Sequence, residues 1–253
     1  MEQNTKAELE DAIRNNLLEL KTEGHFPSGH SKPYFYKAKN GDDFVLLKAR
    51  KDSQHGTQDD IADTYRKNKV MLPFLQKQNL PVETPRELEI LTYDGEIYAV
   101  MERFFGTGHS AAKFAKATKE QQEKFVKQMA NFFFKLHSIP TNTLPKGLDY
   151  TPYFKYNKNI PYNKCGDVFL HGDVNYSNFL VDNDYNLHAV FDWEAACVGP
   201  RLAEFCTFVY CKDLLMLPLV LKEYNKLAGT DITPEQVIAH EKAREEGTQK
   251  DCK

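Results

Sequence analysis

The chain has 253 residues, 41% of them hydrophobic and 27% charged, which is enough apolar material for a sizeable core in one large domain or two lobes. Its formal net charge of −3 argues against a protein that binds nucleic acid through bulk positive charge. The five cysteines form no CxxC pair, the N-terminus is polar, and no apolar run approaches the roughly 20 residues that cross a bilayer, so we expect a cytoplasmic protein with reduced thiols and no membrane partner.

The chain opens with a helix signal followed by strands. Thr5–Glu8 has the capping-box pattern, and apolar residues at helical spacing follow it as far as a stop at Gly24. Strand-like residues rich in Tyr and Phe then lead to an Asn-Gly pair at 40–41, which favours a hairpin. The next strand is predicted at Phe44–Ala49, and Lys48 lies near its end.

A long helix and a second hairpin follow. The helix is predicted over 60–77, and Asn68 is the polar member of its apolar face. Asp94-Gly95 marks the turn of a hairpin between strands at 88–93 and 97–101.

The second half begins with a helix predicted over 119–138, whose aromatic stripe indicates core packing. A loop region follows over 141–163. Beyond residue 194 we predict an apolar helix over 214–227 and another helix that starts at Thr233–Gln236.

The most informative stretch is Phe169–Glu194, which reads FLHGDVNYSNFLVDNDYNLHAVFDWE. Two short apolar runs flank a cluster of turn formers, and this pattern is typical of a β-hairpin. Folding the hairpin brings its two ends together. We therefore expect Asp173, Asn178 and Asp192 to converge on one small volume.

These side chains fit phosphoryl transfer. Asn178 and Asp192 offer hard oxygen ligands, of which Mg²⁺ prefers one or two when phosphate oxygens and waters complete its shell. Asp173 then remains available to accept a proton from a hydroxyl. One Asp that orients the acceptor, with an Asn and an Asp that hold the metal, is the arrangement that this reaction uses.

HGDVNYSN followed by FDWE resembles the catalytic and metal-binding segments of the aminoglycoside phosphotransferase and choline kinase group. The resemblance implies an α+β, two-lobed, protein-kinase-like fold. Residues 1–103 would form a mainly β nucleotide-binding lobe, and residues 104–253 a mainly helical lobe for catalysis and substrate binding. It also implies ATP and Mg²⁺ as cofactors and a small-molecule hydroxyl as acceptor.

The resemblance extends to the nucleotide-binding residues. Ser28 and Gly29 would lie over the phosphates, and Lys48 would bind them. YAVMERFFGTG resembles the hinge between lobes, which would place Met101 beside the adenine. The adenine would pair with the backbones of Glu102 and Phe104.

Two positions depart from the family pattern. Asn68 stands where the family helix carries a Glu that pairs with the strand lysine, and Asp63 or Glu83 are the candidate substitutes. Glu204 stands where the family more often has an Asp that anchors a helix start to the catalytic core. Asn68 supports the alternative of a nucleotide-binding pseudokinase that acts as an interaction module.

A protein kinase is a weaker alternative, because Asp192 is followed by Trp-Glu rather than Phe-Gly. The resemblance alone suggests an aminoglycoside as acceptor. Such a polycation would need acids near the site, and the candidates are Glu194, Glu204, Asp213 and Glu223.

Overall fold

The structure, a computed structural model, describes residues 2–20, 31–49, 58–104, 107–108, 111–151, 167–175 and 178–250. The chain divides into two compact units. The N-terminal unit comprises Met1–Lys77 and Thr84–Phe105, and the C-terminal unit comprises Gln78–Glu83 and Gly106–Lys253. The domain ranges inferred from the sequence, 1–103 and 104–253, stay a prediction.

The N-terminal unit contains a five-stranded antiparallel sheet and two helices. In chain order its elements are α1 (Gln3–Arg14), β1 (Glu19–Leu20), β2 (Ser31–Lys37), β3 (Asp43–Ala49), α2 (Gln58–Leu75), β4 (Glu87–Tyr93) and β5 (Glu96–Glu102). The strand order is β1-β2-β3-β5-β4. Asp94 and Gly95 have φ values of 49° and 71°, as expected for the tight turn that the sequence predicts between β4 and β5.

The two helices cover opposite faces of this sheet. Leu46 of β3 and Val100 of β5 pack with Leu9 of α1 in one cluster. Ala49 and Ala99 pack with Tyr65 of α2 in the other cluster. Because side chains alternate along a strand, even-numbered residues of β3 and β5 face α1 and odd-numbered ones face α2.

Helices dominate the C-terminal unit. They are α3 (Ala111–Lys116), α4 (Lys119–His137), α5 (Cys206–Tyr210), α6 (Met216–Ala228) and α7 (Pro234–Lys250). The long helix α4 begins with a capping box formed by Thr118 and Gln121, and its buried aromatic face packs against α6. Across the described ranges, no helix is long and apolar enough to cross a membrane.

Two small sheets complete this unit. The strands are β6 (Thr107–Gly108), β7 (Asp167–Leu170), β8 (Phe179–Val181), β9 (Leu187–Val190) and β10 (Cys197–Pro200). The three-stranded sheet has the order β6-β8-β9, and β7 pairs with β10. The predicted hairpin is thus formed by β8 and β9, which pair antiparallel.

The opening helix differs from its prediction. It runs over Gln3–Arg14 rather than from Thr5 to Gly24, and its N-cap is Glu2 without a side-chain cap. Thr5 is buried inside the helix instead of capping it, and Asn16, at φ 54°, turns the chain away. Leu17, the next apolar residue in the helical pattern, is 63% exposed.

Candidate active site

The carboxylate of Asp173 lies between two amide side chains. Asn178 Nδ2 donates to the Asp173 backbone carbonyl at 2.7 Å and to its carboxylate Oδ2 at 3.2 Å. Asn175 Nδ2 donates to the other carboxylate oxygen, Oδ1, at 3.1 Å. Sequence reasoning missed Asn175, although its position two residues after an Asp in a turn is where such a contact forms. Both carboxylate oxygens are therefore oriented before any ligand binds.

His171 fixes the end of β7 to the end of β9. Its Nε2 lies 2.7 Å from the backbone oxygen of Phe191, and its Nδ1 lies 3.3 Å from the backbone N–H of Asp173. Since Nδ1 accepts, the proton belongs on Nε2, which donates to Phe191. The ring also packs against Trp193, with the two ring centres 4.4 Å apart. The predicted structural role of His171 agrees with these contacts.

Glu204 anchors the backbone of the His-Gly-Asp turn, which is defined as His171–Asp173. Its Oε2 accepts the backbone N–H of His171 at 2.8 Å, and its Oε1 accepts that of Gly172 at 3.1 Å. Glu204 is 2% exposed. The longer side chain of Glu, in place of the family's usual Asp, thus still reaches the turn and satisfies two buried donors.

Asp192 follows β9 in a left-handed conformation, with φ 63°. Its pKa is raised from 3.8 to about 7, because the surrounding protein removes water from the carboxyl and because the charges of Glu194 and Asp173 repel its own. Part of the Asp192 residue nevertheless stays exposed to solvent, which leaves a path by which a cation can reach it. Asp173 is among the charges that raise the pKa of Asp192, in keeping with the expected convergence of the two acids at the ends of the hairpin.

These residues fit a magnesium site. Asn178 directs its amide nitrogen to Asp173, so Oδ1 is the atom it would offer to a cation, and Asp192 would supply a carboxylate whose pKa is raised first by burial and then by the charge of Glu194. Within the described ranges no group of three or more His, Cys, Asp or Glu side chains could hold a metal. A site with one amide and one carboxylate suits Mg²⁺ because phosphate oxygens and waters supply its other ligands.

Lys48 lies on the α1 face of the N-terminal sheet. Its Nζ is 3.5 Å from Glu96 Oε2 and 5.7 Å from the ring centre of Tyr98. Lys48 and Tyr98 are Cα partners across β3 and β5, whereas Met101 has the odd parity of the α2 face. The structure therefore does not bring Lys48 and Met101, two predicted nucleotide-binding residues, to one face of the sheet.

The partner of Lys48 is Glu96, which sequence reasoning missed. Asn68 lies on α2, and within the described residues its buried Oδ1 has no hydrogen-bond partner. Asp63 pairs with Arg66 one turn along the same helix. The sequence signal for Glu96 was its position two residues before Tyr98, on the strand next to Lys48.

The remaining nucleotide-binding predictions lie at the end of β5 or outside the described residues. Met101 and Glu102 are the last two residues of β5, and Phe104 follows shortly after. The Arg86 guanidinium pairs with both carboxylate oxygens of Glu102, at 2.8 Å from Nε to Oε2 and 2.6 Å from Nη2 to Oε1. Ser28 and Gly29 fall outside the described residues.

The acids that the sequence offers to a polycationic acceptor include Glu204, Asp213 and Glu223, each of which has a partner within the chain. Glu204 holds the turn, and Asp213 is 3% exposed and accepts the backbone N–H of Met216 at the start of α6. Glu223 pairs with Lys226 at 2.7 Å. Glu194 is the member of the four that lies beside Asp192, whose pKa its charge raises.

A family model of known proteins matches the part of the chain that contains this site. The model of the Phosphotransferase enzyme family matches residues 163–232, which contain the turn, the hairpin and Glu204. This match confirms the resemblance seen in HGDVNYSN and FDWE. Among curated proteins, no relative matches the chain.

Solved structures with a similar fold include macrolide and aminoglycoside phosphotransferases. The macrolide 2'-phosphotransferase MphH from Brachybacterium faecium is 15% identical, with 91% of this chain and 86% of that one covered at a TM-score of 0.61. The ADP-bound aminoglycoside phosphotransferase APH(2'')-Ib is 15% identical, with 96% and 86% covered at 0.65. A GDP complex of aminoglycoside 2'-phosphotransferase-IIIa is 17% identical, with 88% and 83% covered at 0.65. These likenesses confirm the predicted α+β, protein-kinase-like fold.

Proposed function

We propose that the protein is a Mg²⁺- and ATP-dependent phosphotransferase that moves the γ-phosphate to a hydroxyl group of a small molecule. The observation that supports it most is the Asp173 carboxylate. It is held on both oxygens by Asn175 and Asn178 and lies close to Asp192.

In this proposal Asp173 acts on the acceptor. Its carboxylate takes the proton of the acceptor hydroxyl as the new oxygen–phosphorus bond forms, and the bond from the γ-phosphorus to the bridging oxygen breaks to release ADP. The two amide groups keep the carboxylate from rotating, so its orientation needs no adjustment when the acceptor arrives. The chain's own contribution is thus mainly positioning.

Asn178 and Asp192 would hold the cation. When bound, Mg²⁺ would offset the charge of the nucleotide phosphates together with that of Asp192, Glu194 and Asp173. Asn178 would serve both roles, since its nitrogen orients Asp173 while its oxygen binds the metal.

The similar structures also bear on the choice of donor and acceptor. Similar structures contain ADP or GDP, so GTP is the natural comparison with ATP. Their names indicate aminoglycosides and macrolides as substrates of those proteins. Because Glu204, Asp213 and Glu223 are engaged by other groups of the chain, we propose the broader class of small-molecule alcohols rather than aminoglycosides in particular.

Phosphorus NMR of the purified protein with MgATP or MgGTP tests the proposal across aminoglycosides, macrolides, amino alcohols, sugars and nucleosides. We expect a phosphate ester to form with at least one alcohol. Asp173→Asn should abolish formation of the phosphate ester. Asp184→Asn, in the exposed turn between β8 and β9, should leave the rate unchanged.

The test also addresses the pseudokinase alternative, which gains support from the Lys48–Glu96 pair and the missing acid at Asn68. Nucleotide binding without turnover on any acceptor, and without ATP hydrolysis, would favour that alternative and contradict the enzyme.

A further inference from the structure

A buried hydrogen-bonded chain runs from α6 to the His-Gly-Asp turn. Tyr224 Oη lies 2.7 Å from His137 Nδ1, and His137 Nε2 lies 3.4 Å from Glu204 Oε2. The same Oε2 accepts the backbone N–H of His171 at 2.8 Å. One oxygen of Glu204 is therefore shared by the turn and by His137.

Protonation states give this chain a direction. Burial raises the pKa of Glu204, but the hydrogen bonds that it accepts from His137 and from the backbone of His171 outweigh burial and lower it, so Glu204 is a carboxylate and only accepts. Burial lowers the pKa of His137 by more than Glu204 raises it, so the imidazole is neutral. Its proton must then sit on Nε2, facing Glu204. Nδ1 accepts, and the Tyr224 hydroxyl is the donor.

Tyr224 and His137 also fix each other by packing. Both are almost fully buried, and their rings meet edge to face at 5.4 Å. Phe205, next to Glu204 in sequence, packs edge to face against both rings. Its ring centre lies 6.2 Å from that of His137 and 5.0 Å from that of Tyr224. The imidazole therefore has little freedom to turn away from the Glu204 carboxylate.

We propose that Tyr224 is a positioning residue, whose hydroxyl acts through His137 to hold the Glu204 carboxylate under the backbone of His171 and Gly172. This inference rests on the proposed function, because its consequence for catalysis is the placement of Asp173. The sequence alone indicates core packing for Tyr224, because it continues the buried stripe of α6 that contains Val220 and Leu221.

The charged and titratable groups around His137 are few. Glu204 and Tyr224 bond to its ring, and the charge of Arg201 lowers its pKa. His171 faces Glu204 from the turn. Removing the Tyr224 hydroxyl takes away a bond to the neutral imidazole, so His137 should titrate at a higher pH in the variant. A protonated His137 attracts Oε2 more strongly and draws it away from the His171 N–H.

The variant Tyr224→Phe tests the proposal, and Tyr150→Phe is its matched control, because that hydroxyl donates to the backbone oxygen of Pro145 away from Glu204. In uniformly ¹⁵N-labelled protein, we expect His137 to titrate at higher pH in Tyr224→Phe. The amide resonances of His171 and Gly172 should also shift. On an acceptor, kcat should fall about three- to tenfold, in keeping with one net hydrogen bond, while KM for the nucleotide stays within about twofold.

Rescue separates positioning from general packing. His137→Gln keeps a donor that can reach Glu204 and should retain more activity than His137→Leu. Unchanged His171 and Gly172 resonances in Tyr224→Phe would overturn the proposal whether or not an acceptor is known. Equal losses of kcat in Tyr224→Phe and Tyr150→Phe would overturn it as well. Absence of turnover in the wild-type protein would count against the proposed function alone, because the NMR measurements would still decide on Tyr224.

Discussion

A Cβ atom on Gly172 would lie 2.3 Å from the backbone oxygen of Ala195. Gly172 also has φ +83°, a conformation that side chains other than glycine rarely adopt. The backbones of the His-Gly-Asp turn and of the segment after Asp192 are therefore too close for a side chain to fit between them. No residue larger than glycine fits there without moving one of the two segments that carry the acids.

The first prediction follows from this contact. Gly172→Ala should lower the free energy of unfolding by more than the roughly 1–3 kcal/mol expected from backbone strain alone, and it should strongly reduce kcat. Gly147→Ala is the control, because Gly147 has nearly the same φ of +84° and, among the described residues, no atom lies within 4 Å of its Cβ position. Chemical denaturation of both variants isolates the cost of the clash. Equal losses would show that the close approach to Ala195 has no energetic weight.

Glu204→Gln removes one of the two acceptors under the turn. An amide has a single acceptor oxygen, so either His171 or Gly172 would lose its buried partner, at a cost of about 1–3 kcal/mol. We expect reduced stability and reduced kcat, with nucleotide affinity within about twofold.

Glu8→Gln serves as the comparison for Glu204→Gln, because Glu8 also accepts a backbone N–H, from Lys39, but at an exposed site. Its effect on thermal unfolding should be small. A Glu204 variant that is as stable and active as Glu8→Gln would contradict the anchoring role.

The raised pKa of Asp192 predicts how stability changes with pH when no nucleotide or Mg²⁺ is bound. Because the folded pKa, about 7, exceeds the unfolded value near 3.8, the folded state holds the extra proton between these values. The resulting stability is present below pH 3.8 and is lost as the pH rises through 7. Asp192→Asn should therefore gain stability over the wild type at pH 8 but not at low pH, by about 1 kcal/mol at most, since solvent screens an exposed acid.

The same Asp192 variant should lose the stabilisation that MgATP gives. Thermal unfolding at pH 5 and pH 8, with and without MgATP, measures both effects, and Asp184→Asn controls for removal of a nearby exposed charge. A variant that keeps the full Mg²⁺-dependent shift in Tm would point to a different metal ligand.

Lys48 offers a test of which face of the sheet meets the nucleotide. Because Lys48 faces Glu96 and Tyr98 on the α1 side, we expect Lys48→Met to change the ATP dissociation constant by less than about twofold. Glu96→Gln breaks the same pair and should likewise change the ATP dissociation constant by less than about twofold.

Lys51, two positions after Ala49 in the sequence, is the lysine to compare with Lys48 by titration calorimetry. A large loss of affinity in Lys48→Met would restore the phosphate-binding role inferred from the sequence. A loss confined to Lys51→Met would assign that role to the later lysine.

The success and failure of sequence reasoning have a common physical basis. The convergence of Asp173, Asn178 and Asp192 depends on one hairpin, and turn formers between two apolar runs are enough to predict it. The face of Lys48 depends on which helix covers each side of the sheet, which no local pattern records. Glu204 and Tyr224 reach the site from distant segments; Glu204 is 33 residues from the backbone donor of His171.

The segment Gln78–Glu83 belongs to the C-terminal unit, although the chain before and after it belongs to the N-terminal one. Glu83 bonds to β9 through its backbone alone, donating to His188 O at 2.9 Å and accepting from Val190 N at 3.0 Å. A genetic crossover near residue 105 would therefore carry a piece of one parent's C-terminal unit into the chimera along with its N-terminal unit. Since these two bonds involve no side chain, they can be kept in a chimera whose parents differ in sequence at these positions.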